Sequence, residues 1–482
     1  MLHYRPVFYV IGILLIVLSI AMLVPAIVDG YRGDAGWSNF VISSFLTAFF
    51  GISLALTNQD KHAKLSVREA FILTTLSWVV LALFASIPLY MSTLELSFTD
   101  AFFESMSGLT TTGATVLIGL DDMSKGILIW RAILQWLGGV GIIVVAMAVL
   151  PMLNIGGMQL FRTESSDKSD KIMPRATQIA AGISTTYIVL TGTCAVILWM
   201  LGMTGFDAIC HAMTTIATAG FSTHDESIGY FNNARIELVI AIFMIMSALP
   251  YVLYIQTMGG NVKAFFRDSQ VKWFIRTLIG CIMVMALWLH YYLDMDIFTA
   301  VRHSLFNITS IATTTGFTSQ DYSLWGGFAL TLIFMLSVMG GCTGSTTGGI
   351  KIFRYQILSQ TASVQINRLI HPHAIYKPKF NNRAVSEAIT SSVMSFFILF
   401  ACSFLCLSLL LSFTGLDFLS SMSASAATMA NVGPALGPIV GPSGNFAPLT
   451  DAAKWFLMFG MLLGRLEIFT VLVLFSKKFW ED

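Results

Sequence analysis

The sequence predicts an all-α polytopic membrane protein, and three observations carry that prediction. The chain of 482 residues is 56% hydrophobic and only 11% charged, where an ordinary soluble domain is roughly 25% charged. Runs of about 20 apolar residues, each long enough to cross about 30 Å of hydrocarbon, recur along it. Between some of them lie apolar segments of about a dozen residues, too short to cross. The net charge of +1 points to no nucleic acid and no acidic partner. The six cysteines, Cys194, Cys210, Cys281, Cys342, Cys402 and Cys406, lie apart without metal-knuckle spacing. They read as small apolar fillers rather than a disulfide or zinc framework.

The first run, "VFYVIGILLIVLSIAMLVPAI" from Val7 to Ile27, exceeds the roughly 7–15-residue core of a signal peptide, so it is expected to be an uncleaved first helix. Ten spans follow from the apolar runs, near 7–28, 38–57, 70–92, 126–153, 178–203, 235–258, 272–293, 325–350, 385–413 and 452–476. Pro25, Pro88, Pro151 and Pro250 fall near their ends. With the amino terminus inside, segments 58–70, 161–176, 261–276 and 351–383 and both termini are cytoplasmic, and they hold 20 of the 27 lysines and arginines. The opposite loops carry Asp121, Asp122, Asp207, Asp225, Glu226, Asp294, Asp296 and Asp321 instead. That bias places both termini in the cytoplasm.

The outward loops after spans three, five, seven and nine each contain a short apolar segment. They read "FTDAFFESMSGLTTTGATVL", "GFDAICHAMTTIATAGFST", "IFTAVRHSLFNITSIATTTGFTS" and "GLDFLSSMSASAATMANVGPAL". All four follow one pattern: an aromatic with a small polar or acidic residue, a short helix carrying Ser, Thr or Met, small residues, then one glycine. The glycines are Gly113, Gly220, Gly316 and Gly433, spaced by 107, 96 and 117 residues. The chain therefore divides into a two-helix preface at 1–66 and four repeats, at 67–160, 161–262, 263–365 and 366–482. One "TTTG" alone would be explained by helix packing, where small residues and hydroxyls are common. Four glycine loops at one place in four repeats are not.

Non-helical backbone is tolerated at membrane depth only where it is buried in protein or lines a water-filled cavity. Four such loops invite a pseudo-fourfold arrangement of re-entrant pore helices about one axis. Glycine gives the backbone access to positive φ, and a ring of carbonyls can replace part of a cation's hydration shell. The short helices would aim their partially negative carboxyl ends inward. A divalent ion would call for carboxylates as well, and none lies within "TTTGA", "ATAGF", "TTTGF" or "NVGP". The site therefore suits a bare monovalent cation.

These repeats resemble the ion-translocating subunit of the Trk/Ktr/HKT superfamily of potassium transporters, over essentially the whole chain. The two-helix preface and the length are most similar to the bacterial TrkH branch. The resemblance implies K+ as the transported ion and a filter formed by Thr111, Thr112 and Gly113; Thr218, Ala219 and Gly220; Thr314, Thr315 and Gly316; and Asn431, Val432 and Gly433. In that superfamily serine at the first filter glycine goes with sodium permeation, so Gly113 implies potassium selectivity. Pro434 follows the fourth glycine, which makes that repeat the most divergent. The resemblance further implies a homodimer, a cytosolic nucleotide-binding regulatory subunit and a place in the bacterial inner membrane.

Two stretches break ordinary helix rules. "SVMGGCTGSTTGGIKIF" puts Gly340, Gly341, Gly344, Gly348 and Gly349 within ten residues of the eighth span. An unbroken helix there would lose about 5 kcal/mol at about 1 kcal/mol per glycine. Ile350 separates Gly349 from Lys351, so this is not a phosphate-binding loop. Tight packing by small residues and a mobile intramembrane gate remain as readings, with Ser345, Thr346 and Thr347 along the ion path in the second. Arg465 stands near the middle of the tenth span, where a lone arginine must face protein or water. It reads either as a helix-tethering ion pair or, as the resemblance implies, as a fixed positive charge below the filter. Glu467, two positions on, faces another side of a helix and is a poor partner. His211 and His303 read as polar packing within the short helices. The basic run 351–383 reads as a solvated cytoplasmic face, with docking to a regulatory partner or to anionic membrane lipid as its alternative.

The chain is therefore expected to be no enzyme but a gated potassium uptake protein, driven by the membrane potential with proton symport as a variant. The potassium-translocating subunit of an ATP-driven pump is the alternative within transport. A membrane-embedded transferase is the alternative outside it, and it would call for acidic or His clusters at one membrane face.

Overall fold

The computed structural model describes residues 4–59, 66–148, 172–373, 376–381 and 383–481. Helices α1 (Tyr4–Arg32) and α2 (Trp37–Thr57) pair first. They touch at glycines: a Cβ at Gly12 would lie 2.7 Å from the Gly51 carbonyl oxygen, the close approach that small residues permit in membranes. Helix α3 (Val67–Tyr90) starts in a capping box, Ser66 and Glu69 each bonding the other's backbone N–H. Then come α4 (Phe98–Leu109), α5 (Lys125–Ala148), α6 (Ile172–Met200), α7 (Gly205–Ile216), α8 (Ala234–Ser247), α9 (Tyr251–Met258) and α10 (Ala264–Arg267). The chain continues with α11 (Ser269–Tyr292), α12 (Ile297–Ala312), α13 (Gly327–Ser337) and α14 (Ile352–Ile370). A two-stranded antiparallel ribbon, Lys379–Phe380 with Arg383–Ala384, separates these from α15 (Glu387–Phe413), α16 (Phe418–Met429), α17 (Asp451–Arg465), α18 (Ile468–Leu472) and α19 (Lys477–Trp480).

Among the described residues seven helices, α1, α2, α3, α5, α6, α11 and α15, are long and apolar enough to cross a membrane. Two further apolar stretches bend sharply, by 90° between α8 and α9 and by 114° after α17. Both were expected as continuous spans, 235–258 and 452–476, and each bend has a local cause. Pro250 lacks an N–H and disfavours helix in the residue before it. Glu467 sits at φ +60°, with its carboxylate held by Arg354 Nη2 at 2.6 Å. The expected span 325–350 is helical only to Ser337, before the glycine-rich stretch.

Helix α5 is the inner one: 72% of its apolar window is buried, against 28–39% for the other six. The four short helices α4, α7, α12 and α16 are also enclosed. At 1.5 Å per residue their 12 to 16 residues reach only about 18–24 Å. Each is capped at its start, by Ser97, Thr204, Asp296 and Asp417, whose side chains accept backbone N–H groups. The boundary at 66/67 falls at the start of α3 and that at 262/263 in the turn before α10. The boundary at 365/366 falls within α14, which runs unbroken to Ile370. Residues 60–65 of the first basic segment, 161–171 of the second, Pro151 and the 160/161 boundary lie outside the described residues.

Candidate functional site

The four short helices end identically. Thr111, Thr218, Thr314 and Asn431 adopt left-handed backbone, with φ of 54°, 49°, 55° and 54°. The next N–H in each case reaches back five residues: Thr112 to Ser107 at 2.9 Å, Ala219 to Thr214 at 3.0 Å, Thr315 to Ser310 at 2.8 Å and Val432 to Ala427 at 2.8 Å. This is a Schellman ending, a place normally given to glycine. A non-glycine residue there costs about 1–2 kcal/mol, and three of the four side chains explain why it is retained. Thr218 Oγ1 bonds Thr346 Oγ1 at 3.1 Å, and Thr314 Oγ1 accepts the Gly348 N–H at 2.7 Å. Asn431 Nδ2 donates to Thr112 Oγ1 at 2.9 Å and to the Met461 carbonyl at 3.0 Å.

Two residues on in each loop stands the glycine, with φ of 82° at Gly113, 79° at Gly220, 85° at Gly316 and 96° at Gly433. Each abuts the carbonyl before the next loop's glycine. A Cβ on Gly113 would lie 2.2 Å from the Ala219 oxygen, one on Gly220 2.0 Å from the Thr315 oxygen, and one on Gly316 2.0 Å from the Val432 oxygen. One on Gly433 would lie 2.6 Å from the Thr112 oxygen, which closes the cycle. Four loops separated by about a hundred residues thus meet in one ring, in chain order. Every one of the twelve expected filter residues lies in it, and Thr111, Thr112, Thr218, Ala219, Thr314, Thr315, Asn431 and Val432 are fully buried.

Threonine hydroxyls mostly brace this backbone. Thr110 and Thr112 bond each other at 2.8 Å, as do Thr313 and Thr315 at 2.8 Å. Nine residues before three of the glycines, a polar side chain of the short helix holds the chain that leaves the loop. Glu104 accepts from the Val116 N–H at 3.0 Å, His211 bonds Ser222 Oγ at 3.0 Å, and Asn307 accepts from the Ser319 N–H at 3.2 Å. In the fourth loop Ser423 does this for Leu436, accepting from its N–H at 2.9 Å. His303 adds a bond to Ser319 Oγ at 3.3 Å. Both histidines therefore pack as the sequence implies.

On one side of the ring a cavity opens, lined by Gly113, Gly220, Gly316 and Pro434 together with Arg131 and His224. Around it further side-chain ties follow the same cyclic order: Asp121 to His224, Glu237 to Arg302 at 2.7 Å, Asp321 to Ser443 at 2.9 Å, and Lys454 to Asp100 at 2.6 Å.

On the other side lies the glycine-rich stretch between α13 and α14. It is no helix but a folded loop. Gly340 and Ile350 bond across its neck at 3.0 Å, and Gly348 approaches the fourth loop so closely that a Cβ would lie 2.2 Å from the Ala430 oxygen. The loop also satisfies the break between α8 and α9: Cys342 N–H donates to the Ala248 carbonyl and Tyr251 N–H to the Gly344 carbonyl, each at 2.9 Å. Ser345 Oγ bonds Thr347 Oγ1 at 2.8 Å, and Lys351 Nζ donates to the Thr347 carbonyl.

Arg465 is not in mid-helix. It ends α17, because the chain turns at Glu467, and a cation is favourable at a helix carboxyl end. Buried at 3% exposure, its guanidinium donates to the Thr346 carbonyl at 3.0 Å and the Gly138 carbonyl at 3.2 Å. No described carboxylate pairs with it. Glu467 pairs with Arg354 instead, so the tethering ion pair is replaced by a tether to loop and helix carbonyls.

Sequence reasoning missed the residues of α5 that reach the ring. Arg131 pairs with Glu104 at 2.7 Å, both buried, and donates to the Ser222 carbonyl at 2.9 Å. Gln135, one turn on and fully buried, donates to the Ala219 carbonyl at 2.7 Å and accepts from the Phe221 N–H at 3.0 Å. The available signal was an arginine and a glutamine four apart on one face of an apolar span. Among the described residues no group of three or more His, Cys, Asp or Glu is placed to hold a metal ion.

Comparison with known proteins agrees with this architecture. Residues 36–482 match the model of the TrkH family, described as cation transport protein. The chain is 42% identical over its whole length, and 98% of the relative's, to the Trk system potassium uptake protein TrkI of Halomonas elongata. It is 39% identical, over the full length of both chains, to the Trk system potassium uptake protein TrkH of Salmonella typhimurium. The crystal structure of the potassium transporter TrkH from Vibrio parahaemolyticus superimposes with a TM-score of 0.92 at 38% identity, over 99% of this chain and 100% of that one. A helical polytopic membrane chain whose four glycine loops meet in a ring, and whose relatives match end to end, belongs to the TrkH family of cation transport proteins.

Proposed function

We propose that this chain carries potassium into the bacterial cell across the inner membrane, through a filter made by the four glycine loops. The cyclic abutment of Gly113, Gly220, Gly316 and Gly433 on the next loop's carbonyl supports this reading above all. It keeps backbone oxygens from all four loops close together in a site free of carboxylates, as a weakly hydrated monovalent cation requires. The relatives' names, potassium uptake proteins, agree with it. Ten crossings follow if the seven continuous helices are joined by the two bent pairs and by α13 with its loop. The four short helices are then re-entrant pore helices, one per repeat, and both termini are cytoplasmic.

In this reading loop 340–349 closes the path beneath the filter. Thr346 and Gly348 dock on Thr218 and Thr314, and Arg465 pins the loop through the Thr346 carbonyl while placing a positive charge in the cation's way. Opening would require those bonds to break together; the family resemblance supplies the trigger of this reading, a cytosolic nucleotide-binding subunit acting on a homodimer. No internal energy source is needed. One charge gains about 2.3 kcal/mol per 100 mV, and about 1.4 kcal/mol is a factor of ten, so an interior at −100 mV sustains about fiftyfold accumulation.

Potassium flux into liposomes holding this chain alone tests the proposal. Uptake following an imposed inside-negative potential, and favouring potassium over sodium, is expected. Flux that demands a separate ATPase chain would favour the pump reading. A pH gradient imposed on the same liposomes separates potential-driven uptake from proton symport.

A further inference from the structure

The second glycine loop differs from the other three. Loops one and three carry paired threonines; the fourth, with Ala430 and Val432, and the second, with Ala217 and Ala219, have no such hydroxyl pair. The bracing of the second comes from another repeat instead. Gln135 of α5 donates to the carbonyl before Gly220 and accepts from the N–H after it, at 2.7 and 3.0 Å. One turn earlier Arg131 donates to the Ser222 carbonyl at 2.9 Å, with its guanidinium 4.1 Å from the centre of the Phe221 ring. Among the described residues the corresponding carbonyls of Thr112, Thr315 and Val432 receive no hydrogen bond.

We propose that Gln135 is a positioning residue that sets ion preference, by clamping both sides of Gly220 and holding the Ala219 carbonyl at a fixed distance from the ion path. This rests on the filter reading above. A carbonyl bonded at 2.7 Å by a buried amide has one lone pair engaged and its plane fixed. It cannot swing inward to follow a smaller ion, whereas an unclamped loop can close on sodium and repay that ion's dehydration. Discrimination between two ions of equal charge depends on the number, field strength and flexibility of the coordinating carbonyls, and Gln135 acts on the last of these without touching the ion.

The test is the potassium-to-sodium preference of flux in liposomes for Gln135→Met, Gln135→Glu and, as a filter control, Gly220→Ala. Gln135→Met removes donor and acceptor at similar volume. It should keep potassium flux while lowering the preference about three- to tenfold, the effect of one hydrogen bond of about 0.5–1.5 kcal/mol. Gln135→Glu cannot donate when ionised but can when protonated. Its preference should fall as pH rises and recover as pH falls, a profile that loss of packing alone would not produce. If Gln135→Met fails to reach the membrane, the pH profile of Gln135→Glu decides alone. Wild-type preference in Gln135→Met, or a low preference in Gln135→Glu at every pH, overturns the clamp. If Gly220→Ala lowers the preference while the Gln135 variants do not, the filter reading survives and the clamp falls. If none of the three alters it, the filter reading itself is wrong.

Discussion

Gly113, Gly220, Gly316 and Gly433 are constrained for two independent reasons. Each has φ between 79° and 96°, where a side chain is strained, and each lies where a Cβ would sit 2.0–2.6 Å from a neighbouring carbonyl oxygen. Gly113→Ser should therefore displace the Ala219 carbonyl. Its expected effect is a loss of potassium-over-sodium preference of about tenfold, the equivalent of about 1.4 kcal/mol, read from paired ion fluxes. Arg465 is constrained differently, by two carbonyl acceptors and, among the described residues, no carboxylate. Arg465→Ala removes both the tether and the positive charge, so potassium flux should rise about tenfold or more on the same scale; a fall in flux with normal folding would contradict its role in closure. The buried pair Glu104–Arg131 is structural. Arg131→Met leaves a buried carboxylate without its cation and should cost about 3–5 kcal/mol, seen as a lower melting temperature in detergent. The glycines are legible in the sequence because each follows an apolar segment too short to cross. Arg131 and Gln135 are not, since they sit inside an ordinary apolar span, and the carbonyl that Gln135 clamps is 84 positions away.

Loops and bends behave as units. The stretch 340–349 breaks its helix as its five glycines demand, but what it docks on could not be read from the sequence. Its partners are the broken end of α8, the left-handed residues of loops two and three, and Arg465. Pro250 is visible as a proline near a span end. The 90° bend it makes is fixed by Ala248 and Tyr251 bonding the loop. Likewise the turn after Arg465 depends on Arg354, 113 positions from Glu467. Shortening 340–349 should raise flux, measured as for Arg465→Ala. The seam between loops one and two makes a prediction of another kind. His224 stacks on Tyr230 at 3.6 Å and faces the carboxylates of Asp121 and Asp207, with Asp225 beside them. Burial acts to lower its pKa, but the facing carboxylates of Asp207 and Asp121 outweigh that and raise it above the ordinary 6.5. A raised folded-state pKa means that the stabilisation is complete below the unfolded value and is lost as pH climbs through the folded one. The purified protein should therefore melt at lower temperature as pH rises through the neutral range, and His224→Gln should flatten that dependence.

The four glycine loops meet in cyclic order at the ring, and the side-chain ties around the cavity beside it follow the same order. The preface stands outside this cycle, joined to it where Asp29 of α1 accepts the Gly126 N–H at the start of α5, at 2.6 Å. The general architecture is legible because hydropathy sets span length and glycine loops recur. The count of continuous spans is not, since bends at Pro250 and Glu467 are tertiary outcomes. The most direct measurement is the potassium-to-sodium preference of liposome flux after alanine replaces each of the four glycines singly, in variants that still elute as folded protein. A single ring predicts that every one of the four substitutions lowers the preference. A preference that responds to only one loop, or to none, would contradict it.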